Sequence, residues 1–338
     1  MELKKLMFIL FCCIGNIINA QDIHFSQYNA SPLNLNPALT GFFDEDYRFT
    51  LNHRQQWRSV TVPYQTISAS IDRKIINDKS KKDIYGFGLQ INRDKAGDSE
   101  FGIIQALLSF AYTRSLNKAN THYLSFGFNT GPAQRTINYS KLTFDNQWDG
   151  SMYNPDLSTG ETFNINDYFF FDVAIGANWF GKLSDDLNVN LGTSYSHLNE
   201  PLQSLFNNPD IRLDKKLTGH LSFEYHASDK IVILPTALYL NQGPLQEITF
   251  GLFGRYVKED SKYNYLAFNI GNFYRNKDAY VIVLGIDYKK ISFGISYDLN
   301  LSTLKPASNL KGGYELSLQY KISTKKYSYK RQINCLIF

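Results

Sequence analysis

From about residue 45 to residue 322, the chain repeats one pattern. Apolar and polar residues alternate with period 2, in runs of about 9–12 residues. In KISFGISYDL (290–299), Ile291, Phe293, Ile295, Tyr297 and Leu299 share one side, and Ser292, Gly294, Ser296 and Asp298 share the other. YELSLQYK (314–321), LNVNLGTSYS (187–196) and FFFDVAIGANWF (169–180) repeat it. Successive side chains of a strand point to opposite faces, so each run is a strand with one apolar and one polar face. Strands in soluble proteins are usually about 5–6 residues, whereas a tilted strand needs about 9–11 to cross a bilayer. The polar faces carry Gly, Ser, Asn and charges, as a wet lumen would. The apolar faces often begin or end in Tyr, Phe or Trp, as an interfacial girdle would.

The template marks strands at 45–56, 65–74, 83–92, 103–115, 120–130, 168–180, 187–196, 215–226, 230–239, 246–257, 263–273, 279–287, 290–298 and 313–322. Taken in order, the even connections include LNKAN, GKLSDD, ASD and the near-direct YKK turn. The odd ones include 131–167, 197–214 and 299–312. Short turns on one side and long loops on the other are the asymmetry of outer-membrane barrels, and an even strand count puts both termini in the periplasm. The expected fold class is therefore all-β: a transmembrane outer-membrane β-barrel of about 14 antiparallel strands, with long external loops and short periplasmic turns. The 131–167 connection is too long for a plain link and reads as a folded external loop or partial plug.

The first twenty residues read as an export signal, with Lys4 and Lys5 ahead of the apolar LMFILFCCIGNII and a cleavage point after Ala20. Phe11 and Cys12 stand where a lipoprotein signal wants small residues, which argues against anchoring at Cys12 or Cys13. No later window is long and apolar enough for a transmembrane helix. The expected organisation is 1–20 signal peptide, 21–44 N-terminal segment and possible plug, 45–322 barrel, and 323–338 periplasmic tail. Cleavage removes two lysines and one glutamate, taking the formal charge from +4 to +3. So small a charge argues against a nucleic-acid partner. It also leaves Cys335 as the one cysteine, which excludes an internal disulfide or a Cys-based metal site.

Few stretches invite chemistry. In GHLSFEY (219–225), period 2 puts His220, Ser222 and Glu224 on one face, a hydrolase-like trio that the polar side of a barrel strand equally explains. No nucleophile elbow accompanies it, and no enzymatic activity is expected. Asp145, Asp149, Asp156, Glu161 and Asp167 could offer calcium oxygens, but their spacing fits no EF-hand loop and solvated carboxylates are the expectation. The basic runs NDKSKKD (77–83) and KISTKKYSYKRQ (321–332) fall on the periplasmic side, as solvated turns or a docking face. Glycines in YGFGLQ and FGLFGRY sit inside strands, where relief of crowding or a bend of the wall is the expectation. No cofactor is expected.

The segment before the first strand, QYNASPLNLNPALTGFF (27–43), has no helix or strand period. With QDIHFSQY (21–28) ahead of it and NPALTG (36–41) inside it, it resembles the start of the PorP/SprF family of outer-membrane proteins, whose pattern is close to FSQY…NPAxxG. HRQQW (53–57), followed by Pro63 and Ser68, resembles the family's next motif. The tail QINCLIF (332–338) resembles its Cys-Pro-x-Phe-like ending, with Leu336 in place of proline. The motif residues carried over are Phe25, Ser26, Gln27, Tyr28, Asn36, Pro37 and Gly41. Arg54, Gln56 and Trp57 are rim or partner candidates, and Cys335 and Phe338 form the C-terminal motif.

The resemblance implies a non-enzymatic multi-pass barrel of the cell outer membrane, surrounded by outer-membrane lipid and associated with type IX secretion. It implies periplasmic ring components and peptidoglycan-linked lipoproteins as partners. For some members it implies a secreted adhesin held through its C-terminal domain, sometimes for gliding. On the residues alone, Phe25, Tyr28 and Leu33 could anchor 21–43 inside the barrel as a short plug, with a pre-strand linker as the other reading. Arg54 and Trp57 are expected to close strand one at the external rim. A passive transporter, FadL-like or porin-like, is the main rival, since the same lumen face permits it.

Overall fold

The computed structural model describes residues 22–77, 82–162, 165–205, 208–261, 264–303 and 305–324. The strands are β1 (Tyr47–Gln56), β2 (Tyr64–Ile76), β3 (Asp83–Ala96), β4 (Phe101–Ser115), β5 (His122–Thr136), β6 (Asp167–Lys182) and β7 (Leu187–Ser196). They continue as β8 (Lys216–Ser228), β9 (Ile231–Gln242), β10 (Leu245–Asp260), β11 (Tyr265–Arg275), β12 (Ala279–Tyr288), β13 (Ile291–Asn300) and β14 (Lys311–Ile322). Each pairs antiparallel with its sequence neighbours, and β1 pairs with β14 to close the barrel, leaving no sheet edge in the ladder order. These are the fourteen strands that the alternation marks. Several run further at the loop-bearing end, where NRDKA in β3 and GPAQRT in β5 have no large apolar residue on either face and give no alternation to read.

Even and odd connections segregate to the two ends of the barrel. The long connections 137–166, 197–215 and 301–310 share one end, and the short turns such as 229–230 and 289–290 share the other. The outer wall is apolar. Phe87, Ile91, Leu108, Phe126, Ile270, Leu284 and Ile295 are each more than 40 % exposed, which only a lipid environment rewards across a whole wall.

The inner wall differs from a uniformly wet lumen. Arg48, Thr50, Asn52 and Arg54 of β1, and Ser125 and Asn129 of β5, are polar and buried as expected. Along β9–β12, however, Val232, Leu234, Leu238, Phe253, Phe273, Val281 and Val283 point inward and are buried. This arc packs on residues 28–42 of the chain's own N-terminal segment. Inward apolar residues are stable there because the lumen is filled with protein instead of water.

Candidate functional site: the lumen segment and its seat

Residues 22–43 lie inside the barrel. From Phe25 to Phe43 nearly every side chain is buried. The segment holds little regular structure: one helical turn at Pro32–Leu35 and short 3-10 turns at Tyr28–Ala30 and Pro37–Leu39. Its prolines stand at the first or second position of a turn, where a missing N–H costs nothing. Asn36 caps the Pro37 turn, its Oδ1 accepting from Ala38 N at 2.9 Å.

Asp22 sits beside Lys216, Gln242 and His197, at the loop-bearing end of the wall. Phe43 and Asp44 give their carbonyls to Lys74 Nζ at the short-turn end, just before β1 begins. The described segment therefore begins at the external mouth and traverses the lumen to reach its own first strand, which corrects, for this end of the described residues, the expectation that both termini lie on the periplasmic side.

The attachment is built in three tiers. In the outer tier, Glu315 of β14 accepts from the backbone N–H groups of Ser26 (2.8 Å) and Gln27 (3.0 Å). Ser26 Oγ donates to Asp298 of β13 (2.8 Å) and accepts from Arg275 of β11 (2.7 Å). Arg54 donates to His24 O (2.8 Å) and to Asp298 (3.0 Å). Gln27 Nε2 donates to Ser296 Oγ, and Gln27 Oε1 accepts from Ser317 Oγ. Hydrogen bonds of this kind to charged groups are worth about 1.5–3 kcal/mol each.

In the middle tier, Tyr28 OH donates to Thr236 Oγ1 (2.8 Å) and its ring meets Phe273 edge-on at 5.7 Å. Asn34 bonds Ser68 and Asn92. Asn36 Nδ2 donates to Ala177 O (3.0 Å) and Thr193 O (3.2 Å) and lies 3.2 Å from His220 Nε2. In the lower tier, Asp72 of β2 accepts from Gly41 N (2.8 Å) and from Arg48 at Nε (3.0 Å) and Nη2 (2.7 Å), while Arg48 also donates to Leu39 O (3.0 Å). Arg48 and Asp72 are fully buried. Phe43 lies under the Arg48 guanidinium at 4.6 Å, and Phe42 packs on Tyr123 and Phe180.

The wall has been cut to receive this segment. A Cβ at Gly86 would stand 2.0 Å from Thr40 O, at Gly127 2.4 Å from Pro37 O, at Gly176 2.0 Å from Asn36 Oδ1, and at Gly294 2.4 Å from Gln27 Oε1. At Gly86 the expected relief of crowding is toward the lumen segment: it admits the backbone of Thr40 and Gly41, and Gly41's own φ of +70° favours glycine.

Of the residues singled out from sequence, Phe25, Ser26, Gln27, Tyr28, Asn36, Pro37 and Gly41 are all in this seated segment. Gln56 and Trp57 stand where β1 ends at the external rim. Trp57 N donates to Gly312 O (2.7 Å), and its ring meets Tyr64 edge-on at 4.9 Å. Arg54 is a correction. It is buried in the lumen because even-numbered residues of β1 face inward, and it holds the segment instead of lining the rim. Cys335, Phe338 and the signal region lie outside the described residues.

The hydrolase-like trio does face inward, but no hydrogen bond joins its members. His220 faces Asn36, and Glu224 Oε1 lies 2.6 Å from His226 Nε2. The acidic loop residues are spread apart: Asp149 caps its own turn, and Asp167 accepts from Gln134. The start of the 137–166 connection docks on the β3–β4 turn through Asn138 N to Ser99 O (2.8 Å) and Lys141 to Glu100 (3.1 Å).

Sequence reading missed the wall residues Glu315, Asp298, Arg275, Asp72 and Arg48. A charged residue on the inward face of a strand is the usual lumen pattern, so they carried no distinguishing signal.

Asp22 and His197 form a latch at the external mouth. Burial alone would lower the His197 value, but the carboxylates of Asp22 (3.3 Å) and Asp172 (2.9 Å) push it up from 6.5 to about 9. Burial alone would raise Asp22, but Lys216 and His197 hold it well below the usual carboxylate range. The sign follows. The His197 contribution is complete below its ordinary 6.5 and is lost as pH rises through about 9. The Asp22 contribution is complete above its ordinary 3.8 and is lost as pH falls below it. Protease accessibility of residues 22–25 should therefore be least at mildly acidic to neutral pH and increase beyond about 9. A His197→Ala variant should lose the alkaline limb. An unchanged profile would remove the latch.

A closed fourteen-strand barrel with an apolar outer wall and its lumen filled by its own N-terminal segment defines a plugged outer-membrane β-barrel. The sequence matches the family model of the type IX secretion system membrane protein PorP/SprF over residues 17–320, and the chain belongs to that family. No curated protein matches the sequence. Among solved structures, the chain is similar to the toluene transporter TbuX of Ralstonia pickettii, with TM-score 0.54 and 10% identity, covering 87% of this chain and 94% of that one. It is also similar to the monoaromatic hydrocarbon channel CymD, with TM-score 0.50 and 13% identity, covering 87% and 93%. At these identities the likeness is one of fold.

Proposed function

We propose that this barrel is a non-enzymatic anchor of type IX secretion. It holds the secretion or gliding machinery, or one exported adhesin, at the outer membrane through protein–protein contacts. Its partners on this reading are periplasmic ring components and lipoproteins on one side and an exported protein, held through its C-terminal domain, on the other. The export signal is removed near Ala20.

The observation that supports the reading is the filled lumen. The segment is bonded to β1, β2, β3, β5–β9, β11, β13 and β14, and glycines in the wall fit its backbone. A pore whose contents are fixed from nearly every side offers its rims, not its bore, for work. This favours an anchor over a passive transporter.

Purifying the tagged protein from its native membrane in mild detergent, with mass spectrometry of what accompanies it, tests the reading. Ring lipoproteins or one large exported protein should co-purify. A barrel without companions that conducts ions in proportion to salt would favour the transporter.

A further inference from the structure

The external loop 137–166 carries a small rigid knob. Residues 147–154 (QWDGSMYN) form a hairpin tip, with Trp148 bridged to Tyr153. Asn154 N donates to Gln147 O (2.8 Å) and Asp149 N to Met152 O (3.1 Å). Asp149 Oδ1 accepts from the N–H groups of Ser151 and Met152, both at 2.8 Å. Beneath the tip the Gln147 side chain is buried. It accepts from Phe144 N (3.1 Å) and donates to the carbonyls of Pro155 (3.5 Å) and Leu157 (3.4 Å). A loop held by this many internal bonds is preorganised, which removes much of the ordering cost of binding.

What the knob displays is unlike a solvated loop. Trp148 is 59 % exposed, Met152 62 % and Tyr153 43 %. Trp and Tyr head the residues that dominate protein–protein binding energy, and Met is enriched at such surfaces. The knob belongs to a loop beyond the strand ends, so its exposed apolar groups are not part of the lipid-facing wall. The described residues of the same loop carry the carboxylates of Asp145, Asp149, Asp156 and Glu161, all exposed, against the one cation of Lys141, which is itself paired with Glu100. That charge repels the anionic headgroups of an outer-leaflet lipid surface and attracts a cationic protein face.

We propose that the knob at Trp148, Met152 and Tyr153 is the external docking surface for an exported protein, which meets it with a basic face containing apolar pockets. The proposal rests on the anchoring reading above and adds where, and with what chemistry, the exported partner is held.

The test uses the full-length protein in its native cells, with a photo-crosslinker in place of one side chain. Tyr153→p-benzoyl-phenylalanine is the probe, and Lys305→p-benzoyl-phenylalanine, on a different external loop, is the control. The expected result is an adduct with one exported protein from position 153 and none from 305. Trp148→Ala/Met152→Ala/Tyr153→Ala should lower the yield of that protein in the purification by roughly tenfold or more, as loss of a hot spot does. Asp156→Lys/Glu161→Lys should lower it too, while leaving the barrel's closed state unchanged.

Three outcomes overturn the proposal. An exported companion that crosslinks from 305 alone, or that still co-purifies with the triple variant in full yield, removes the knob but leaves the anchoring reading standing. An adduct with lipopolysaccharide at 153 assigns the surface to lipid. No protein adduct at either position, with no companion in the purification, removes the docking site and the anchoring reading together.

Discussion

Removing residues 22–40 from the exported protein should turn a closed barrel into a conducting one. The deleted stretch includes the groups that bond Glu315, Asp298, Thr236, Ser68, Ala177 and Arg48. Fourteen strands enclose a bore that side chains alone do not fill, since about eight strands already suffice for a side-chain-packed core. Single-channel recording in planar bilayers would show steps that scale with salt in the truncated protein and near-leak current in the intact one. Equal currents would mean that some other part of the chain closes the bore. The apolar arc of Val232, Leu234, Phe253, Phe273, Val281 and Val283 would then face water, so the truncated barrel should also unfold at lower denaturant.

The second large effect is expected at the lower tier. Asp72→Ala leaves Arg48 as a buried charge with its carboxylate gone, and removing one partner of such a pair costs about 3–5 kcal/mol. The same substitution deletes the acceptor of Gly41 N. The segment should come away from its seat at the periplasmic mouth, read as cleavage between residues 39 and 46 by protease added from that side. Replacing both partners, Arg48→Met with Asp72→Leu, should recover much of the protection, because two apolar groups of similar volume leave no orphan charge. A double variant as labile as Asp72→Ala alone would shift the weight from the buried charge to the Gly41 bond. Gly86→Val reaches the same place by sterics: its Cβ alone would stand 2.0 Å from Thr40 O.

The barrel itself was legible in the sequence, because strand period, strand length and the segregation of loops all follow from which face meets lipid. KISFGISYDL alternates so cleanly that β13 (Ile291–Asn300) could be placed nearly to the residue. The segment's motif was legible only as a resemblance. Physical reading could say that Asn36-Pro37 makes a turn and that Gly41 can take positive φ, but not what lies opposite. Gly86, Gly127 and Gly176 gave no local sign of their role, since the groups they admit are 46 to 140 residues away in the chain. One signal was present and unread. IVIL (231–234) and YVIVL (280–284) break the alternation: Ile231, Ile282 and Leu284 meet lipid on the outer face, so the apolar inner face, Val232, Leu234, Val281 and Val283, has to be covered from within the lumen. Those two runs mark the arc on which the segment rests.

The path of the segment also sets an order of assembly. Below the Asp22 latch, its upper bonds are to β13 and β14, the last strands made, and its lower ones are to β1 and β2, the first. The seam between β1 and β14 is the final ladder of the circle. Residues 22–43 are therefore expected to be laid in before that seam zips, acting as the form around which the wall is wrapped. A bulky domain fused ahead of Asp22 would then have to sit on the outer side of the membrane before the ring could shut.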